Sequence, residues 1–236
     1  MRMRLISRSI SSEDPLSSTW LRFLACLSAT LFAFPFPSTA FDTPLSDTAV
    51  RQAYFMGQRH DESLAKFLDK YCKHLPPPKA GPYISSVSFF TPYALLAELS
   101  SERLYGYSAQ QAEIEHRGMV ETVRIMVEIQ LTDTYGPVIP NPDGRSSGTP
   151  WDYVMRPTGF WRDFQIQVIS NKKVLSPFSY TGEPDYICGD GGCSLVGATV
   201  QLEFLAEAFD PGSATIQIEP PEGDQVVVDF DLASLR

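Results

Sequence analysis

Cys188-Gly-Asp-Gly-Gly-Cys193 is the segment whose residue types and spacing point most directly to a chemistry. Three of the four residues between the thiols are glycine, free to take the positive φ angles of a tight loop, so the spacing predicts a disulfide closing a small ring. In the loop-entropy picture a ring of this size contributes about 2 kcal/mol to stability. A thioredoxin-like redox pair has a shorter spacing, and a zinc site needs further Cys or His ligands that the neighbouring sequence does not supply. Cys72 is expected to be a buried, inert thiol on an apolar helix face.

The three histidines, His60, His74 and His116, all precede the main β region. Glu113 and His116 stand three positions apart, the spacing of carboxylate-bridged metal bundles, but such sites need the pair twice, and one copy reads as a charged helix surface. Asp185, Asp190, Asp210 and Asp224 are placed in turns, where an aspartate mostly bonds its own backbone rather than calcium. No nucleophile elbow, zinc-protease helix or phosphate-binding glycine loop occurs, so neither a catalytic residue, a metal nor a cofactor is assigned. The remaining candidate surface is aromatic. Tyr135, Trp151, Tyr153 and Trp161 lie on or beside the Pro- and Gly-rich connection 133–161, and flat rings with polar edges can stack on sugars or pack into a partner. The alternative for Trp151 and Trp161 is to cap the open end of a sandwich.

The amino terminus has the order of a secretory signal: Arg2, Arg4, Arg8 and Arg22, the apolar run from Phe23 to Phe36, and small residues ending at Ala40. That run is shorter than the roughly 20 apolar residues of a membrane span and contains Pro35, so residues 1–40 are read as a signal peptide, with Cys26 as part of its apolar region and no membrane span left after cleavage. Retention as an anchor is the alternative. Without those residues 15 basic side chains face 26 acidic ones, a net of −11. Such a surface repels nucleic acid and anionic headgroups, whose binding depends on Lys and Arg.

The elements that must position these residues follow from periodicity. Ser46 or Asp47 can cap a helix running to Gly57, and Asp61 caps a second whose stripe is Leu64, Phe67, Leu68, Tyr71 and Cys72, stopped by Pro76-Pro77-Pro78. Tyr83 to Phe90 reads as a strand. Thr91-Pro92 starts a helix buried through Leu95, Leu96 and Leu99, and Ser108 opens another ending near Gly118.

From Val120 the period becomes two: Val123, Ile125, Val127, Ile129 and Leu131 are one face of a strand. The same period recurs in Phe164, Ile166 and Val168 and in Ala198 to Ala208. Short strands are expected at 153–155 and 174–180, the latter after an Asn171-Lys172-Lys173 turn, and final strands at 214–219 and 225–232. The fold class is therefore mainly β (α+β), an antiparallel β-sandwich or partly open barrel. An amino-terminal helical subdomain, 41–118, precedes the β domain, 119–236.

Thr91-Pro92-Tyr93-Ala94, the leucine helix after it, Arg103, Tyr105, the short capped helix and the strands to the end make the layout of 83–236 resemble a group of uncharacterised exported bacterial proteins. The resemblance implies an envelope protein, periplasmic or extracellular, and no chemistry. The expectation for function is a non-enzymatic domain that binds a protein or glycan of the cell envelope through 133–161. An exported hydrolase with a dispersed acidic and His site is one alternative, and a structural assembly subunit is another.

Overall fold

In the computed structural model, which describes residues 41–103, 106–141 and 153–236, the long alternating runs lie at the centre of two packed sheets. One sheet has five strands: β1 (Cys72–His74), β2 (Tyr83–Phe90), β3 (Thr122–Gln130), β9 (Gly192–Leu205) and β8 (Ser179–Gly189), in that spatial order. The other has β11 (Val226–Asp231), β10 (Ser213–Glu219), β6 (Gln165–Ser170) and β7 (Lys173–Leu175). A separate ribbon pairs β4 (Val138–Pro140) with β5 (Tyr153–Met155). Every pairing is antiparallel and neither sheet closes into a barrel, so the fold is a mainly β, sandwich-like α+β arrangement.

The period of two explains the core. Val123, Ile125, Val127 and Ile129 of β3, and Ala198, Val200, Leu202 and Phe204 of β9, turn one face inward and meet Val168, Ala214, Ile216, Ile218, Val228 and Phe230 of the second sheet. Each such Val, Ile, Leu or Phe contributes up to about 1.5–3 kcal/mol of burial. Gly197 sets the register: opposite the irregularity at Asp185/Tyr186, a Cβ on it would stand 2.3 Å from the Ile129 carbonyl oxygen.

Four helices, α1 (Asp47–Gly57), α2 (Glu62–Asp69), α3 (Pro92–Glu102) and α4 (Ala109–Arg117), form a layer with its own small core of Ala49, Val50, Ala53, Leu96, Ala97 and Ala112. The caps at Ser46, Asp61, Thr91 and Ser108 each accept a backbone N–H of the first turn. Tyr71, Phe90 and Ala94, with Leu95 and Met126 beside them, join this layer to the outer face of the five-stranded sheet. Residues from 41 on belong to one compact unit, and the expected boundary at 118/119 passes through that sheet, because β2 precedes it and β3, its neighbour, follows it.

Four local expectations are corrected. Helix α2 ends at Asp69; Tyr71 turns away and its carbonyl accepts from Phe89 N–H at 2.8 Å, so Cys72 lies half-buried on edge strand β1, not on a helix face. The buried face of α3 is Tyr93, Ala94, Leu96, Ala97 and Ser100, leaving Leu95 and Leu99 half-exposed. The strand expected at 174–180 is divided: Pro177, which has no N–H to donate, lies between β7 in one sheet and β8 in the other. The run from 198 starts earlier, at Gly192, and Ala206–Ala208 form a 3-10 turn instead of continuing the strand.

Candidate functional site

The connection 131–164 leaves the sandwich at a tight turn in which Thr132 and Tyr135 exchange backbone hydrogen bonds of 3.2 Å each. That turn buries the Tyr135 ring, 2% exposed, edge-on to Phe164, and the Arg156 guanidinium lies 3.5 Å above it. Arg156 also donates from its backbone N–H to Pro137 and from Nε to the Gly136 carbonyl. Both strands of the ribbon are thus fastened at their base to one aromatic anchor. On the return path a 3-10 turn, Phe160–Asp163, lays the Trp161 indole over β8, where Gly182 leaves room: a Cβ there would be 2.5 Å from the ring.

Of the four rings expected to form a contact surface, Tyr135 and Trp161 are therefore interior residues. A ring closed in by Phe164 and Arg156, or by Gly182 and Tyr180, has no face left for a ligand. Tyr153 is 64% exposed, and Trp151 lies outside the described residues. The ribbon supplies what the two buried rings do not. Its register pairs Val138 with Met155 and Pro140 with Tyr153, and the period of two puts these four side chains on one face, all exposed. Ile139 and Val154 occupy the other face.

A second surface was not expected from the sequence. A cleft of about 260 Å³ runs between α3 and the chain entering β3, with Leu95, Leu99, Met119 and Val120 as apolar walls and Glu98, Glu102, Glu121, His116 and Arg124 at its margins. Its floor is a clasp. Glu121 accepts hydrogen bonds from the Thr43 hydroxyl and the Leu45 N–H, both at 2.6 Å, and its Oε1 lies 2.9 Å from His116 Nε2. Burial pushes the Glu121 carboxyl up, but the hydrogen bonds from His116, Thr43 and Leu45 outweigh it and hold the acid below its usual range. Glu98 is shifted the other way. Burial raises it, and Glu102 one turn along adds to the rise against the pull of Arg124 at 3.4 Å.

Paired acids pushed in opposite directions are the arrangement of general acid–base sites. Here both Glu121 oxygens are already occupied, one by Thr43 and the other by Leu45 and His116. Glu113 does not join them: its carboxylate is buried against α1 and paired with the largely exposed Arg51, whose Nη2 lies 3.3 Å from Oε2, so within the expected charged helix surface the acid itself is turned inward. Among the described residues no group of three or more His, Cys, Asp or Glu converges as a metal site. His74 pairs loosely with Asp69 at 3.4 Å, and Asp185 lies within β8, accepting from Thr199.

Cys188 and Cys193 form the disulfide that their spacing predicts, as directly opposed residues with Cα atoms 4.0 Å apart at the end of the β8–β9 hairpin. Only Asp190 and Gly191 lie between the two strands. The expected signal peptide 1–40 and Tyr105 lie outside the described residues. No family model matches the chain, and no curated protein is significantly similar to it.

Proposed function

We propose that the protein is an exported, non-enzymatic binding domain that engages a protein or glycan of the cell envelope through the β4–β5 ribbon. The observation that carries this reading is the ribbon's outer face. Val138, Tyr153 and Met155 are 50%, 64% and 63% exposed, on a two-stranded element of a kind only marginally stable alone in water. Contiguous exposed apolar side chains on a well-anchored element mark an interaction surface. One further observation supports export: a disulfide persists in oxidising compartments. Among the described residues no helix is long and apolar enough to cross a membrane.

The test is site-specific photocrosslinking in the native host, with the reactive residue at Tyr153 or, as control, at exposed Val227. An adduct that forms from 153 but not from 227, and is lost in a Met155→Ser, Val138→Ser background, supports the reading. Equal labelling from both positions overturns it. The hydrolase alternative draws on the opposed acids Glu98 and Glu121. Its test is turnover of a panel of glycan and peptide substrates, lost in Glu98→Gln. The assembly-subunit alternative would give a 153 adduct between copies of the chain.

A further inference from the structure

We propose that the cleft between α3 and β3 is a docking site for a basic, apolar peptide segment of a partner protein, independent of the ribbon. Its size favours side chains over a whole small molecule, since about 260 Å³ falls below the roughly 300–1,000 Å³ of typical small-molecule pockets. The walls are apolar and open. Met119 and Val120 are 60% and 72% exposed and form a ridge between this cleft and a neighbouring one of about 530 Å³, where Leu205, itself 41% exposed, continues the apolar surface. Contiguous exposed apolar side chains of this kind mark an interaction surface.

The charge around this apolar surface selects the partner. Arg124 is divided between Glu98 at 3.4 Å and Glu203 at 3.5 Å, and its buried Nε has no hydrogen-bond partner. One guanidinium thus serves two carboxylates, Glu98 on the cleft and Glu203 outside its lining, while Glu102 and Glu121 bring the acids lining the cleft to three, with Glu121 facing His116. The pKa of Glu98 is raised first by its burial, with Glu102 adding to the rise against the pull of Arg124, so a further cation seated beside it would favour its charged form. A Lys or Arg entering along α3 would meet Glu98 and Glu102 together, and its apolar neighbours would cover Leu95, Leu99 and Val120. An anionic lipid surface would be repelled by these carboxylates.

The probe is a fluorescein-labelled peptide of alternating leucine and lysine, with a leucine–glutamate peptide as its counterpart, titrated with the purified protein and followed by anisotropy. The leucine–lysine peptide is expected to bind and the leucine–glutamate peptide not to. Glu98→Gln with Glu102→Gln is expected to weaken binding at least tenfold, and Met119→Ser with Val120→Ser at least threefold. Glu219→Gln with Glu222→Gln, the same change in net charge outside the cleft, should alter it less than twofold. Exposed Glu102→Gln alone, expected to weaken binding about threefold, is the variant that does not disturb the Arg124 pair. Equal loss from the two acid pairs, an unchanged affinity in the cleft variants, or no binding at millimolar peptide would each overturn the proposal. Tyr153→Ser with Met155→Ser should leave this affinity unchanged, so failure here and failure of the ribbon reading are separate results.

Discussion

Three of the four described rings in the 133–161 connection, Tyr135, Phe160 and Trp161, point inward, whereas the cleft between α3 and β3 has no phenyl, phenol or indole on its walls and is defined by carboxylates shifted in opposite directions. In the first region aromatic volume builds a root: Tyr135 and Trp161 are spent on anchoring, which is what allows Val138, Tyr153 and Met155 to stand free on a stiffly held ribbon. In the second, charge does the organising. A half-buried acid, Glu121, ties residues 43 and 45 to the turn before β3, and that turn leaves Met119 and Val120 in solvent. An anchored surface needs both an interior part and a displayed part, and a ring's type does not say which part it plays.

Substituting one ring of each kind tests that division with the largest effect. Trp161→Ala removes an indole packed on Gly182 and is expected to cost about 3–5 kcal/mol in urea unfolding. Tyr153→Ala, on the exposed face, is expected to stay within about 0.5 kcal/mol. Similar losses from both would break the distinction between root and displayed face. The next effect belongs to the clasp. Glu121→Ala leaves Thr43, Leu45 and His116 without their shared acceptor and is expected to cost about 1–3 kcal/mol. Hydrogen exchange should quicken first at the Leu45 N–H, with the ribbon amides unaffected; a loss spread evenly over both regions would show that they are not separately built.

The sequence carries the frame of this comparison better than its two surfaces. Strands β3 and β9 are plain from residues alternating every second position, the helix starts from Ser46, Asp61, Thr91 and Ser108, and the turn expected at Asn171-Lys172-Lys173 forms, with positive φ angles of 46° at Asn171 and 65° at Lys172 that only the asparagine favours. Strand β8 is hidden because Gly182 and Pro184 read locally as loop; an edge position tolerates the proline, and the glycine is there for Trp161. The aromatic connection is visible as a region, but which rings face inward depends on Gly182, Arg156 and Phe164, none of which a local pattern links to them. The cleft is hidden altogether. Its clasp joins Thr43 to Glu121 across 78 positions, and only folding places α3 beside them.

The β8–β9 tip is remote in kind from both surfaces and supplies a control of smaller size. Cys188→Ser with Cys193→Ser opens a short ring at the end of a hairpin, so the expected cost is at most about 2 kcal/mol. The increase in hydrogen exchange should be confined to residues 186–194. Spread of that increase to the ribbon would mean that Trp161, which packs on Gly182 farther along β8, transmits hairpin motion to its root.

The smallest effect, and the sharpest for the cleft, is the dependence of stability on pH. Glu121 is held below its ordinary value near pH 4, so the folded state binds fewer protons there than the unfolded chain; this stabilisation is present above that value and is lost as pH falls through the folded one. Glu98 has the opposite sign. Its raised folded value means that its contribution is present below the ordinary carboxylate range and is lost as pH rises through the folded value. In Tm profiles from about pH 3 to 8, Glu121→Gln should flatten the acid limb and Glu98→Gln the decline on the neutral side. A basic peptide seated in the cleft should mimic Glu98→Gln by supplying the missing positive charge, whereas occupancy of the ribbon should leave the neutral-side slope as it is. Profiles in which the two substitutions act on the same limb would show that the acids do not occupy opposed environments.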